Sequence, residues 1–478
     1  MRTALTAALA AAACLAAAAC LAGAPLPGTA PAEEPAAVGS EMAREMLAQL
    51  VAINSTHAHG STAAAQWAAD RLRAAGFEAR DLVLLAPAAH PEAGNLVVRL
   101  HGRGHGKPLL YLGHLDVVEA RREDWSVDPF ALTERDGWLY GRGTIDMKGQ
   151  DVALLASLIR LHAEGYVPER DIVVALTADE EAGGESNGVR WLFDEHPELV
   201  EAGLVINPDG GEAGMKDGRK LYVGVQTSEK VFLTFGLETT DKGGHSSRPT
   251  RANPIYRLAR GLDRLARFEF PVHLTDTTRL YFSQRARLET GRRRADMLAM
   301  GRTPLDPRAV ARLSADVETD ILLRTTCVTT IIEGGHAENA LPQRARATLQ
   351  CRVVPGESAQ QTADTVARVL ADPGIRLSVI TPAVPSPESP PSPALMDTVA
   401  RVAQSLWPEV IVLPQMSAGA DDSIVPRARG IAAYGIDGMF DDLDDGRAHG
   451  RDERIGVRAF DQELEFTYRL MKALAGEP

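Results

Sequence analysis

Cysteine is scarce: the 478 residues contain four. Two of these, Cys14 and Cys20, fall in the extreme N-terminal segment, which leaves Cys327 and Cys351 for the rest of the chain. Two cysteines cannot staple a protein of this length, so a disulfide-framed fold is excluded and stability must come from a hydrophobic core. The pair lies in two strand-like runs, and spacing alone leaves its pairing open. A basic surplus is also missing. With 64 acidic against 51 basic side chains the net charge is -13, which repels polyanions and excludes nucleic acid as a partner class. Long apolar runs are missing too, with one exception after Arg2, "TALTAALAAAACLAAAACLAGA", followed by the Pro-rich "PLPGTAPAEEPAA". This reads as a cleaved signal peptide (1–24) and a linker (25–40), so the mature protein is expected to be periplasmic or secreted. N-terminal sequencing of the mature chain tests this. The run is mostly alanine and weakly hydrophobic, so a membrane anchor is the lesser reading. Contact with a membrane would come only through this segment, uncleaved or lipidated. Lipidation at Cys20 of "AAAAC" ranks below cleavage, because alanine stands where leucine is usual.

The length predicts two domains. From 41 to 225, short apolar runs alternate with helix-length amphipathic ones, the pattern of βαβ units around a mostly parallel sheet flanked by helices. "PLLYLGHLDVV" (108–118), "DIVVALTADEE" (171–181) and "GLVINPDGG" (203–211) each begin as a buried strand and end in ionisable groups. Between the first two, Val152, Leu155, Ala156 and Ile159 mark one face of a crossover helix that Gly165 stops. Residues 226–382 read as strand, helix (Asn253 as N-cap, Pro254 first, with Ile255, Leu258, Ala259 and Leu262 on one face), two strands, helix and strand. That order is the ferredoxin-like βαββαβ plan. A mostly helical insertion, 273–324, interrupts it with no role that its residues disclose. The Pro-rich 381–395 looks like a return linker, and 383–478 is expected to rejoin the first domain.

In open α/β sheets ligands bind at the carboxyl ends of the strands, and here those ends carry His114, Asp116, Glu180, Glu181 and Asp209. "GRGTIDMKG" adds Asp146 and "GRAHGRDERI" adds His449. Mixed imidazole and carboxylate donors suit zinc or a similar divalent ion, and a bridging carboxylate with two ligands on either side makes a two-metal site. Bound cations would also cancel the repulsion in the acidic triplet Asp179-Glu180-Glu181. If "GHLDVV" stays extended, His114 and Asp116 point the same way and Asp116 supports the second ring nitrogen of His114. Neighbours in "DEE" point apart, so one glutamate is free to ligate while the other faces the attacking water.

Through "GHLDVV", "GRGTIDMKG", "TADEEAGG", "NPDGG", "GGHSSRP", "ENALP" and "AHGRDE" the chain resembles the two-zinc exopeptidases and amidohydrolases that include carboxypeptidase G, carnosinase-type dipeptidases and aminoacylases. The resemblance implies two divalent ions, zinc first with manganese or cobalt as alternatives. His114 and Asp209 would lie on one, Glu181 and His449 on the other, with Asp146 bridging. It implies Glu180 as general base, Asp116 as the supporter of His114, and His245 as a lid histidine that stabilises the oxyanion, often across a homodimer interface formed by the second domain. Asn339 and Arg352 would grip the substrate, Arg352 through a carboxylate. Asp at 209 matches the dipeptidase and carboxypeptidase branch, whereas aminoacylase-like members tend to carry Glu. Where relatives read Gly-Ala-Thr-Asp, this chain has Gly419-Ala420-Asp421-Asp422, which puts the carboxylate of Asp421 where a substrate-side hydroxyl is expected. The expected activity is hydrolysis of the amide bond of a dipeptide or C-terminal residue, with N-acyl amino acid hydrolysis as the alternative.

Overall fold

A computed structural model describes residues 39–476. The expected signal peptide and nearly all of the linker lie outside the described residues. Among the described residues no helix is long and apolar enough to cross a membrane.

Two of the three runs read as buried strands, Leu109–His114 and Ile172–Thr177, are buried along their whole length; the third, Leu204–Ile206, is nearly so. Leu109–His114 lies between the other two and is parallel to both. Ala433–Ile436, from the C-terminal segment, adds in parallel beside Leu204–Ile206, as expected for a chain that rejoins its first domain. These strands form the centre of a ten-stranded sheet. Antiparallel strands flank them, Leu82–Leu85 and Asn95–Leu100 on one side and Arg219–Glu229 and Glu212–Lys216 on the other. Alternation assigns successive residues to opposite faces. Leu109, Tyr111, Ile172 and Val174 pack with the helices Ser40–Ala52, Lys148–Ala163 and Val457–Ala475. Leu110, Leu112, Val173 and Ala175 pack against Gly188–Glu195 instead. Coverage on both faces is what lets a parallel centre read as unbroken apolar runs.

The crossover helix forms at Lys148–Ala163, but its buried surface is not the single stripe expected. Val152, Ala153, Leu154, Leu155, Leu158 and Leu161 are all buried, while Ala156 and Ile159 are only partly so. A helix between a sheet and two other helices is apolar nearly all round, and periodicity then cannot pick a face.

The second sheet has the order Thr326–Gly334, Arg344–Val353, Val231–Thr240, Arg376–Thr381, antiparallel throughout. Asn253 caps Pro254–Ala266 through Oδ1, which accepts from the backbone N–H of Ile255 at 2.9 Å. That helix buries Leu258 and Gly261, whereas Ile255 and Ala259 are exposed, so its apolar stripe is rotated from the expected one. The strand Arg219–Glu229 belongs to the large sheet and runs past the expected boundary at 225, so the chain crosses between sheets at Lys230. The insertion is helical, with Asp276–Arg285, Gly291–Ala299, Pro307–Leu313 and Val317–Leu323 around a core of Phe282, Met297, Met300 and Leu313.

Cys327 and Cys351 are directly paired across neighbouring strands and form a disulfide, with Cα atoms 4.1 Å apart. It closes a loop with a sequence separation of 24 residues. Constraining the unfolded chain to that extent is worth about 3 kcal/mol. A Cys327→Ala/Cys351→Ala double variant is therefore expected to lose about that much stability in urea unfolding, and adding a reductant should no longer shift its midpoint. A wild-type midpoint in the variant would contradict this.

Candidate metal centre and catalytic site

Because the central strands are parallel, their carboxyl ends open on one edge, and the chain leaves each strand there carrying a functional group. His114 is the last residue of its strand. Glu180 and Glu181 follow Thr177 by a tight turn in which Asp179 adopts φ 55°. Asp209 sits in the short helical turn Pro208–Gly210 after Leu204–Ile206. Donor atoms of His114, Asp146 and Glu181 lie within 4.8 Å of one another. His114 Nε2 is 3.0 Å from Asp146 Oδ1 and 3.8 Å from Asp209 Oδ1. His449 Nε2 is 3.0 Å from Asp146 Oδ2 and 2.8 Å from Glu181 Oε1. All five expected ligands thus meet, with the two oxygens of Asp146 turned to different histidines, the arrangement a bridging carboxylate needs.

One expected contact is wrong in its atoms. The Asp116 carboxylate does not hold the His114 ring, since Oδ1 is 3.7 Å from Nδ1. The backbone carbonyl of Asp116 takes that role at 3.0 Å. Alternation does not reach Asp116, because the strand ends at His114 and beyond it the chain no longer obeys a period of two. The carboxylate instead accepts the backbone N–H of Glu180 (3.1 Å) and of Glu181 (3.0 Å), fixing both glutamates from below. Asp179 has a partner of its own, its Oδ1 lying 3.1 Å from His57 Nδ1.

Two further residues position the centre. Glu453, fully buried, pairs with Arg142 at 2.5 Å, accepts the N–H of Gly143 at 3.1 Å, and through Oε1 accepts those of Ile145 (2.8 Å) and Asp146 (3.2 Å). Arg142 in turn donates to the carbonyl of Gly450 at 3.1 Å. This clamp binds the Asp146 loop to the His449 loop. The motif "AHGRDE" ends in Glu453, yet nothing in the sequence gives that glutamate a partner. Asp422, buried on the cavity wall, accepts from Asn187 Nδ2 at 2.8 Å, and burial pushes its carboxyl up to about 7.

Electrostatics follow from crowding acids at low solvent exposure. Burial, reinforced by the charge of Asp209, raises the Glu180 carboxyl well above its ordinary range. Burial pushes Asp209 up to about 6. Burial would raise Asp146 too, but hydrogen bonds from His114 and His449 hold it below the usual carboxylate range. Hydrogen bonds to Asp146 and Glu181 push His449 up to about 10. In the metal-free protein, histidine protons thus do the charge balancing that cations would do.

The centre opens into a cavity of about 1250 Å³ whose walls include Glu180, Glu181, Asp209, His449 and Arg352. His245 and Asn339 are not on that wall: they lie on an exposed two-stranded ribbon, where Ser246 N–H donates to the Asn339 carbonyl at 3.0 Å. One chain therefore does not bring the expected lid histidine to its own centre. Asp421 also departs from expectation. It lines the cavity, but its carboxylate also accepts from Asn207 Nδ2 (2.9 Å), from the Ser423 N–H (2.8 Å) and from Gln226, so it braces the turn that carries Asp209.

Residues 110–473 match the sequence profile of Peptidase family M20/M25/M40. The chain belongs to that family. The human N-fatty-acyl-amino acid synthase/hydrolase PM20D1 is 29% identical over 380 residues, covering 77% of this chain and 74% of the human protein. A probable carboxypeptidase S-like 2 from Dictyostelium discoideum is 31% identical over 376 residues, 77% of this chain and 71% of that one. Among solved structures, the M20 family metallo-carboxypeptidase Sso-CP2 from Sulfolobus solfataricus superposes with a TM-score of 0.68 at 19% identity, covering 91% of this chain and 99% of that one. Human carnosine dipeptidase 1 does so at 0.59 and 18%, with 92% and 97% covered, and both share the fold. Its converging imidazole and carboxylate donors fit a metal centre.

Ligation requires a neutral imidazole, so metal uptake must expel the His449 proton. Metal-free His449 keeps its proton until the pH approaches about 10. Metal affinity is expected to rise about tenfold per pH unit below that value for each proton released. Calorimetry in buffers of different ionisation enthalpy should register at least one proton released at pH 7.5. The same raised pKa contributes stability to the metal-free fold that is fully present below about pH 6.5 and is lost as pH rises through about 10. Glu181→Ala is expected to bind less metal than wild type. Proton-neutral uptake, or full metal content in that variant, would contradict the ligand assignment.

Proposed function

We propose that the protein is an exported hydrolase of the amide bond that precedes a free C-terminal carboxylate, in a dipeptide or the end of a small peptide. The observation that carries this reading is Arg352. It is half-buried on the same cavity wall as the metal-ligating carboxylates, stacks 4.9 Å over the Phe232 ring, and has no carboxylate within ion-pair distance among the described residues. Withdrawal from water lowers its pKa from the ordinary arginine value, with the charge of Glu229 acting in the opposite direction, and a carboxylate arriving there would gain a charge-assisted contact. N-acyl amino acid hydrolysis is the second reading, favoured by the similarity to a relative named for that activity. Both substrates present the same carboxylate.

His114, Asp209, Glu181, His449 and the bridging Asp146 would hold the two ions, and the donor set suits zinc, with manganese or cobalt next. When bound, such a pair supplies Lewis acidity toward the scissile carbonyl and the attacking water. Glu180, its backbone fixed by Asp116, accepts the water's proton at its carboxylate and passes it to the leaving nitrogen. A carboxyl already raised by burial is matched to both halves of that transfer. His245 serves the oxyanion from a second copy of the chain. The four-stranded sheet, whose strand order and directions fit a ferredoxin-like lid, would form the homodimer contact.

Two substitutions test the assignment. Glu180→Gln is expected to keep both metals and to bind substrate while kcat falls by roughly 10²- to 10⁴-fold. Arg352→Ala is expected to raise KM by roughly 30- to 100-fold for substrates ending in a free carboxylate and far less for their C-terminal amides. A Glu180→Gln enzyme with wild-type kcat, or an Arg352→Ala enzyme equally impaired on acids and amides, would sink the respective role.

A further inference from the structure

Beside the metal centre lies a second cavity, of about 330 Å³, that the hydrolytic chemistry leaves unused. Asp146, Asp209, Gly211, Glu212 and Leu443 border both it and the large cavity, whereas Glu180, Glu181 and Arg352 border the large one alone. The rest of its wall is acidic. Asp437, which follows Ala433–Ile436, is buried, and Asp441 and Asp442 of the strand Phe440–Asp442 are partly buried. The one basic side chain on this wall, Arg454, is already held by Asp445 at 2.7 Å and stacks 4.3 Å over the Trp138 ring. Asp437 Oδ1 accepts the Met439 N–H at 2.9 Å, Asp441 Oδ1 the Asp442 N–H at 2.9 Å, Asp442 Oδ1 the Asp444 N–H at 3.0 Å, and Glu212 the Tyr222 hydroxyl, all neutral donors. Burial and the charges of Asp445, Asp442 and Glu212 push the Asp441 carboxyl up to about 6. One further acceptor stands on the same wall. Gln150, in the helix Lys148–Ala163, is 4% exposed; its Nε2 donates to Asp437 Oδ2 at 3.4 Å, and its buried Oε1 has no hydrogen-bond partner among the described residues. An unpartnered amide oxygen set among carboxylates calls for a donor that carries positive charge.

We infer that this chamber is a specificity subsite for a basic side chain, the ammonium or guanidinium of the residue that supplies the scissile carbonyl. The inference rests on the amide hydrolysis proposed above and names the residue on the acyl side of the bond. Arg352 borders only the large cavity, so a leaving residue anchored there stays in that cavity. The chamber, walled by two of the metal-ligating carboxylates, then falls to the group on the other side of the scissile carbonyl. A bare metal ion does not suit it. Among the described residues the donors that lie within 4.8 Å of one another are those of His114, Asp146 and Glu181, and the chamber acids Glu212, Asp437, Asp441 and Asp442 form no such group. Carboxylates spread around a volume of this size suit an alkyl stem whose tip carries several N–H donors, each able to reach a separate acceptor. An acidic side chain would meet like charge there, so the same wall rejects it.

The test is steady-state hydrolysis, by the metal-loaded enzyme, of lysyl-alanine and norleucyl-alanine, each with a free and with an acetylated α-amino group. The two stems are nearly the same length, so the comparison isolates the side-chain charge. KM is expected to be roughly 10- to 100-fold lower for the lysyl member of both pairs, as charge-assisted hydrogen bonds to a partly buried acid provide. Asp441→Asn keeps the volume and removes the charge, and is expected to shrink that ratio to about threefold or less. Gln150→Met, which removes the amide oxygen, is expected to shrink it as well, and it carries the test if the asparagine variant fails to fold. Equal KM for lysyl and norleucyl substrates, or a lysyl preference unmoved by both substitutions, overturns the subsite while leaving the hydrolase reading intact wherever norleucyl-alanine is cleaved. A preference set by the free α-amino group alone, the same for both stems, overturns it too. Failure to cleave any carboxylate-ended amide overturns both.

Discussion

Like charge gathered at low solvent exposure is the constraint around which the site is built. Asp146, Glu180, Glu181 and Asp209 sit at one edge of a sheet whose strands are buried on both faces, with Asp116 and Asp422 just behind. Two carboxylates about 4 Å apart repel by about 4 kcal/mol even at an effective dielectric constant near 20. Such a cluster persists only where each member is answered. The two oxygens of Asp146 are answered by His114 and His449 at 3.0 Å each, which is why its carboxyl stays ionised while burial raises its neighbours. Replacing two protons by two divalent ions answers the same charges more completely, and from that follows the coupling of metal uptake to pH.

Geometry at that edge is enforced by groups that never face the cavity. Backbone N–H donors of Glu180 and Glu181 converge on Asp116, and those of Gly143, Ile145 and Asp146 converge on Glu453. Burial raises both carboxyls, the converging N–H groups offset part of that rise, and the same hydrogen bonds pin the loops that donate them. A second network supports the Asp209 turn. Arg427, paired with Glu229 at 2.9 Å, donates to Gln226 Oε1; Gln226 and Asn207 donate to Asp421, and Glu229 accepts the Asp421 N–H at 2.8 Å. The carboxylate of Asp421 belongs to this internal scaffold as well as to the cavity wall, so its presence does not disturb the ligand set.

The residues that were legible in the sequence are those whose position depends only on the chain's local course. His114, Glu181 and Asp209 each follow an apolar run, and parallel strands necessarily present such endings together, so their meeting followed from pattern alone. Asp146 and His449 stand out as further donors, but their places on one ion or between two came only from the resemblance to known motifs, because loops carry no periodicity. What escaped depends on contacts between distant segments. The reach of Glu453 across 310 residues to Gly143 is invisible to spacing. The orientation of Asp116 was misjudged because the end of a strand, unlike its middle, is not fixed by alternation. Helix faces at Ala156 and Ile255 were misplaced because burial depends on what packs around the helix. His245 belongs to a motif that the sequence shows, but its separation from the cavity is a property of the tertiary arrangement within one chain.

The insertion is the extreme case, since its meaning lies wholly in what it spans. Its helices contribute no metal ligand and no base, yet their core extends to Met416 on one side and Val354 on the other. At the point where the chain passes from one sheet to the other, Lys230 is buried, its backbone N–H donating to the Ser417 carbonyl at 2.9 Å and its ammonium to the Arg324 carbonyl at 2.7 Å. Arg324 closes the insertion, so the crossover, the large sheet and the insertion's last turn are tied at one residue. Swinging the second sheet about that crossover would disturb the hydrogen bonds of a buried ammonium, which is costly.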